Sequence, residues 1–448
     1  SAFRTKTLGA RALTTVIDAN EEDILREVMK TMPDKVKVAA TDIDGVLRSK
    51  YISSDKFLSG LKSSVGFCSV IFGWDMNDKC YDNTKLVGGH TGYADVYAKF
   101  DLKTLRLLPW ENNVPFVLMD FIDGDLNPYP ICPRQLLKST IKKGVEATGL
   151  TPLSGLEYEY YTFGETSQSL HDKQFNKPLP LTPGMFGYSA IRTGQNKDLF
   201  DQIFTQMKSA GVKLECLHTE TGPGVFEAAI QYGDPLTVAD SASIFKYGMK
   251  IIGHQHGVLP CFMAKPHANL PGCSGHVHTS LKDESGNNAF YDPGDEFYMS
   301  ETFKHFVAGQ LLLMPALMAM YCPTVNSYKR LVPGFWAPTI PSWGVENRIS
   351  SVRVIPDGKK GTRLETRIPG ADSNAYLALA ASLASGYYGV INKISLDSFP
   401  MTVGSVVPDN PLAGKFPRNL LEAAENLHSS KIAREIFSDD FVDHFAAT

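Results

Sequence analysis

The chain has 448 residues, of which 43% are hydrophobic and 21% charged, with a formal net charge of −4. This composition is that of a soluble globular protein with room for a large core, and it excludes a basic nucleic-acid-binding or membrane-surface protein. The longest apolar run, Leu311–Cys322, is too short to span a bilayer and carries Pro315. The seven cysteines are dispersed with no C-x-x-C pair, which fits free thiols in a reducing compartment.

Ser1–Ile17 carries Arg4, Lys6 and Arg11 and no acid before Asp18. The expectation is a disordered tail on a cytoplasmic protein, with a mitochondrial transit remnant as the alternative. Helical spacing predicts a helix over Asn20–Met32, stopped by Pro33. Strands are expected at Val36–Ala40, Leu47–Ile52, Ser69–Trp74, Asp95–Phe100, Arg106–Pro109 and Phe116–Phe121. These form a small β-rich unit that ends at the turn cluster Asp123–Pro130.

Beyond it strands and helices alternate. Helices are expected at Arg134–Thr148, Asp198–Ala210, Thr237–His256, Met299–Tyr321, Ala375–Lys393, Leu420–Leu427 and Lys431–Phe441. Strands are expected at Leu156–Phe163, Val212–His218, Val225–Ile230, Cys261–Ala264, Gly275–Leu281, Ser350–Ile355 and Arg363–Pro369. The larger unit thus reads as an α+β domain on a mainly antiparallel sheet. The implied division is an extension and helix over 1–35, a small domain over 36–130 and a large domain over 131–448.

Several strands carry chemistry. Glu157 and Glu159 lie two apart and share a face, where two carboxylates repel unless a cation, water or shared proton relieves them. A solvated strand surface accounts for that pair equally well. Glu220 and Glu227 bracket the Gly222-Pro-Gly224 turn, and Glu227 sits in an almost wholly apolar strand, where it is either buried against a metal or an arginine or an exposed acid on a half-buried strand. His276 and His278 alternate and can present two imidazoles to one site, or serve as two structural histidines. In Arg363-Leu-Glu365-Thr-Arg367 a carboxylate lies between two cations on one strand face, which suits a site where a metal and anions meet or, taken alone, a solvated edge strand. With Arg330, Arg348 and Arg353, five arginines fall between positions 330 and 367, and their forks suit carboxylate and phosphate. There is no Walker A loop, no Rossmann glycine pattern and no H-E-x-x-H helix.

In this order and spacing, the motifs G-L-E-Y-E-Y-Y, E-T-G-P-G-V-F-E, K-P…G-C-S-G-H-V-H-T-S-L, N-S-Y-K-R-L-V-P-G, W-G-V-E-N-R, R-L-E-T-R-I-P-G-A-D and N-A-Y-L-A-L-A-A resemble the glutamine synthetase family. The resemblance runs from about Val36 to the C-terminal helices and is to the bacterial-type branch that includes γ-glutamyl-amine ligases. It implies a β-grasp-like N-terminal domain, a catalytic domain whose sheet lines a funnel, and stacked rings, a dodecamer, with active sites between subunits. It further implies that Glu159, Glu220 and Glu227 hold one divalent ion and Glu157, His276 and Glu365 a second. Two or three Mg²⁺ or Mn²⁺ ions per site would suit so oxygen-rich a set.

By the same resemblance Arg330 and Arg367 clamp the carboxylates of glutamate, and the backbone at Gly272 takes its ammonium. Tyr232, His278, Ser280, Lys360 and Arg363 line the ATP site, with Arg348, Arg353 and Arg363 stabilising the phosphoryl group in transfer. Neither nucleic acid nor membrane is an expected partner. The chain departs from the family at the flap, where glutamine synthetases usually read R-L-V-P-G-Y-E-A-P. Here the tyrosine and glutamate positions are Phe335 and Trp336. An indole cannot take a proton from ammonium, but it can pack on an amine. Asp75, or Asp78, is the candidate ammonium-side acid. The expectation is therefore an ATP-dependent ligase that forms γ-glutamyl phosphate and passes it to a primary organic amine. A glutamine synthetase using ammonia and a non-catalytic scaffold are the rivals.

Overall fold

In the computed structural model the structure describes residues 19–30, 33–408 and 410–448. The expectation for Ser1–Ile17 lies outside them. The first helix, Ala19–Met29, begins with Glu21 and Glu22 at its positive end. Five strands follow: β1 (Lys35–Thr41), β2 (Leu47–Ser53), β3 (Val65–Cys68), β4 (Asp95–Leu108) and β5 (Val114–Ile122). They pair in the order β2-β1-β5-β4-β3, with β1 and β5 parallel and the other neighbours antiparallel.

Two expectations change here. The segment read as a strand at Ser69–Trp74 opens with a 3₁₀ turn, Ser69–Phe72, that folds Ile71 and Phe72 into the small core. The two strands read at Asp95–Phe100 and Arg106–Pro109 are one strand, irregular between Asp101 and Arg106.

The second sheet has eight strands: β6 (Thr151–Phe163), β7 (Leu214–Thr219), β8 (Val225–Gly233), β9 (Leu259–Cys261), β10 (Gly275–Lys282), β11 (Trp343–Val345), β12 (Val352–Ile355) and β13 (Arg363–Thr366). Their order is β11-β12-β13-β10-β6-β8-β7, with β9 on the far part of β6. Only the β11–β12 pair is parallel. The expected mainly antiparallel sheet and mixed α and β fold are present.

Alternation along β6 sorts the two faces. Leu156, Tyr158 and Tyr160 are buried, and Tyr158 and Tyr160 pack their rings on Phe245 and Phe262. Glu157 and Glu159 take the opposite face and are half-buried. Helix Pro235–Gln255, started by Pro235 and capped by Asp234, whose side chain accepts from Thr237 N, supplies Phe245 to that core. Helix Ala375–Ile391 is apolar on nearly all sides and correspondingly buried.

Two predicted helices are broken. Met299–Tyr321 divides into Glu301–Leu313 and Met318–Tyr321, because Pro315 has no N–H for the helix ladder. Lys431–Phe441 divides at Ser438, whose φ of +85° lies outside the helical range and whose hydroxyl caps the next helix, Asp439–Ala447. β11 was not expected, and β9 lies earlier than the predicted Cys261–Ala264. Among the described residues, no helix is long and apolar enough to cross a membrane.

Candidate active site

The register of the second sheet gathers acids, imidazoles and arginines on one face. His276 lies opposite Glu157, His278 opposite Glu365, Arg353 opposite Glu365, and Glu159 opposite Glu227. Side chains far apart in sequence therefore meet because their strands are neighbours.

At the centre, the ligating atoms of Glu157, His276 and Glu365 all lie within 4.8 Å of one another. His276 Nδ1 is 3.1 Å from Glu365 Oε1 and 3.6 Å from Glu157 Oε2, while His278 Nε2 is 3.1 Å from Glu157 Oε1. Burial alone would raise Glu157, but the imidazoles of His276 and His278 beside it outweigh that and hold the carboxyl well below the usual range. Burial likewise acts to raise Glu365, yet His276 and Arg367 hold it far down. Glu365 is only 1% exposed, and Arg353 and Arg367 both donate to it. Two carboxylates and an imidazole this close, on a sheet face ringed by further acids, fit a hard divalent cation.

Glu159, Glu220 and Glu227 are less tightly drawn together. Glu159 accepts from Ser274 N at 2.6 Å, and Glu220 accepts from the Thr221 hydroxyl at 3.2 Å. Glu220 Oε2 is buried with no hydrogen-bond partner among the described residues, the kind of orphaned oxygen a cation satisfies.

His218, on β7, was not among the expected site residues. Its Nε2 is 3.3 Å from Glu227 Oε1, and its ring stacks on Tyr188 at 4.7 Å. The Cys216 side chain and then Glu227 push its pKa up to about 10. The legible signal was H-T-E, in which His218 stands two residues before Glu220 at the end of β7. Glu346, which accepts from Arg353 Nε at 3.0 Å, was also missed.

Beside the triad opens a cavity of about 880 Å³, within the range of a nucleotide site. Tyr232, His278, Ser280, Lys360 and Arg363, all assigned to ATP by the resemblance, line it together with Glu157. Arg348 is exposed on the loop between β11 and β12.

Two expected residues sit differently. Arg330 is buried, and its two terminal nitrogens donate to the carbonyls of Ile368 at 2.9 Å and Arg367 at 3.0 Å. Two of its five N–H donors satisfy backbone carbonyls, so it is not presented as a wholly free fork. Asp75 is not brought to the cluster within the chain. Its carboxylate accepts from Asn77 N at 2.8 Å and Lys79 N at 2.9 Å, closing its own turn in the small unit. The alternative, Asp78, accepts from Arg48 at 2.8 Å.

Arg367 is buried, and its Nε has no hydrogen-bond partner among the described residues. Gly272 has no room for a side chain: a Cβ there would lie 2.6 Å from Ala264 O and 2.8 Å from Arg330 Cγ. The flap beyond Arg330 carries Trp336 in the left-handed region, φ +58°, with 67% of its surface exposed.

A mixed sheet with carboxylates, histidines and arginines clustered on one face beside a nucleotide-sized cavity suits a metal-assisted, nucleotide-using transferase or ligase. The glutamine synthetase catalytic-domain family model matches residues 130–448. A type-1 glutamine synthetase 2 of Dictyostelium discoideum is 49% identical, covering 96% of this chain and 82% of its own length. A glutamate–isopropylamine ligase of Pseudomonas sp. is 36% identical over 96% of this chain and 94% of that protein. A γ-glutamylethanolamide synthetase of Streptomyces coelicolor is 32% identical over 99% and 92%. Among solved structures, a GmaS/ADP complex superposes with a TM-score of 0.78 at 27% identity, covering 96% and 94%. The chain belongs to the glutamine synthetase family. It is a carbon–nitrogen ligase, of a family whose members use ATP and divalent metal ions and often assemble as oligomers.

Proposed function

We propose that the protein activates the γ-carboxylate of glutamate with ATP and transfers the γ-glutamyl group to a primary organic amine. The observation that carries the acceptor reading is Trp336, an exposed indole where the family's usual flap presents a carboxylate. The 36% and 32% identical relatives, named for isopropylamine and ethanolamide chemistry, support it.

In this reading ATP occupies the cavity lined by Tyr232, Ser280, His278 and Lys360, with Arg363 at its rim. Glu157, His276 and Glu365 would hold one Mg²⁺ or Mn²⁺, and Glu159, Glu220 and Glu227 another. When bound, such ions neutralise charge on the phosphates and the incoming carboxylate. The glutamate γ-carboxylate oxygen attacks the γ-phosphorus, the bond to the bridging oxygen breaks, and ADP leaves. Arg353, held by Glu346 and Glu365, and Arg348 stabilise the phosphoryl oxygens during transfer. The amine nitrogen then attacks the acyl carbon of γ-glutamyl phosphate, phosphate departs, and the amine gives up a proton. An arylamine is neutral at physiological pH and needs no base before it attacks. An alkylamine needs one, and an indole cannot be it. Active sites completed between subunits of a dodecamer, with Asp75 or Asp78 supplied by a neighbour, belong to the same reading.

A specific observation favours a second reading: the 49% identical relative is named a glutamine synthetase, which points to ammonia. Phosphate release with ATP and glutamate fixed, and ammonium, methylamine, isopropylamine, putrescine and aniline varied, separates the two. The expected result is an organic amine with kcat/KM at least tenfold above ammonium. Ammonium as the best acceptor would establish the second reading instead.

A further inference from the structure

Lys246, on helix Pro235–Gln255, reaches the back of the second sheet from its apolar side. Its Nζ lies 4.3 Å from the centroid of the Tyr158 ring, over its face. Tyr158 points away from its neighbours Glu157 and Glu159 on β6. The same nitrogen donates to Ala371 O at 2.6 Å and to Ser373 O at 2.8 Å. Asp372, between those two carbonyls, is engaged elsewhere: its Oδ2 accepts from the hydroxyls of Thr324 at 2.8 Å and Ser327 at 2.7 Å. Burial lowers the Lys246 pKa to about 7, although the Asp372 charge acts the other way. Charged or neutral, the nitrogen keeps at least two N–H groups, so both carbonyls stay satisfied. An apolar side chain would avoid the cost of burying a lysine but would leave those carbonyls bare.

The two carbonyls belong to the turn that carries the chain out of β13, just beyond Glu365 and Arg367. That turn is tied to the run entering β10: Gly275 N donates to Pro369 O at 2.8 Å, and Ala371 N to Cys273 O at 3.0 Å. The same run is tied to β6. Glu159 N donates to Ser274 O at 3.0 Å, and Ser274 N donates to the Glu159 carboxylate at 2.6 Å. The crossing is packed to contact: a Cβ on Gly275 would lie 2.7 Å from Gly370 O and 3.0 Å from the Tyr158 ring.

Three strands therefore converge at this crossing, and each carries members of the acidic cluster: Glu157 and Glu159 on β6, His276 on β10 and Glu365 on β13. Lys246 engages the first through the Tyr158 ring and the last through the 371 and 373 carbonyls. A functional site keeps its affinity only while its groups stay within about 0.5 Å of their places. What fixes these strands against one another therefore fixes the spacing of the ligands.

Resting on the reading that these acids hold divalent ions, we propose that Lys246 is a positioning residue for the metal-binding face. By drawing the turn after β13 against the back of Tyr158, it sets Glu365 and His276 in place against Glu157 and Glu159. It does so from the opposite side of the sheet, without touching ion, nucleotide or glutamate. Its loss weakens the hold on the ion by loosening the ligands.

The test uses the full chain in its native assembly, Mn²⁺ as the probe, and two variants, Lys246→Met and Phe262→Leu. K246M keeps the apolar stem and loses the N–H groups. Phe262 packs on Tyr158 at 6.3 Å in the same core but holds neither carbonyl, so F262L reports general loosening. Mn²⁺ Kd without nucleotide is measured by calorimetry and stability by the urea midpoint. Phosphate release gives kcat and the Mg²⁺ concentration for half-maximal activity. For K246M the expected result is a Mn²⁺ Kd and a half-maximal Mg²⁺ raised at least fivefold, with kcat at saturating Mg²⁺ within threefold of wild type. F262L should lower the urea midpoint at least as much and keep its Mn²⁺ Kd within twofold. The inference is overturned if the K246M Kd rises less than fivefold, or if F262L weakens Mn²⁺ equally, which would reduce Lys246 to a core residue. Lys246→Gln, judged by the same threshold, replaces K246M if that variant does not fold. If wild type binds no Mn²⁺, the metal reading itself fails. Wild-type binding with unchanged K246M defeats this inference alone.

Discussion

Trp336 combines two properties that rarely coincide without a use. A bulky residue in the left-handed region carries a cost of about 1–3 kcal/mol, and an indole 67% exposed forgoes most of its burial. Replacing it with the family's usual acid, Trp336→Glu, supplies a carboxylate that attracts ammonium. The expected outcome is a rise of at least about tenfold in the ratio of ammonium to organic-amine turnover, read by phosphate release with both acceptors. An unchanged ratio would remove the flap from acceptor choice. At this scale most of the site was legible, because R-L-E-T-R, H-x-H and the paired acids are dense, polar and regularly spaced. His218 escaped because H-T-E is a faint signal beside the paired acids, and its register against Glu227 is what brings it into the cluster.

At the scale of elements, strand alternation positioned the chemistry, and helix packing holds the sheet that carries it. Helices Glu301–Leu313 and Ala375–Ile391 touch backbone to backbone. A Cβ on Gly389 would lie 2.0 Å from His305 O and 2.8 Å from Gly309 Cα, and one on Gly386 would strike the Phe306 ring at 2.1 Å. Gly389→Ala should therefore force the helices apart despite alanine's better helix propensity, at a cost of about 1–3 kcal/mol. The measurement is the urea midpoint, and no loss would mean that the helices can separate freely. The alternation of β6 and the apolar helix were readable because each repeats its period many times. The breaks at Pro315 and Ser438 were harder. A proline within an apolar run does not say whether a helix kinks or stops, and positive φ at a serine is decided by the helix that follows.

For the molecule as a whole, the question is how the small sheet is fixed to the large unit. Buried Arg134, opening helix Pro133–Thr148, joins Asp120 of β5 at 2.7 Å to Asp240 of helix Pro235–Gln255 at 2.8 Å. The C-terminal helix Asp439–Ala447 makes a second seam: Asn83 donates to Ala447 O at 2.9 Å, and His444 Nε2 donates to Phe72 O at 2.8 Å. His444 is 2% exposed, and burial lowers its pKa to about 4 despite that hydrogen bond. The folded value is thus below the unfolded value of about 6.5, so the unfolded chain binds more protons between the two. The stability that neutral His444 contributes is whole above about pH 6.5, falls as pH drops, and is exhausted below about 4. Between about pH 7.5 and 5.0 the loss is about 2 kcal/mol. In the variant His444→Gln the side-chain amide can still donate to Phe72 O but does not titrate. Urea midpoints at the two pH values should therefore fall by about 2 kcal/mol more in wild type than in the variant. Equal slopes would mean that His444 accepts its proton inside the fold, and that the C-terminal seam opens at mild acidity without destabilising the rest of the molecule.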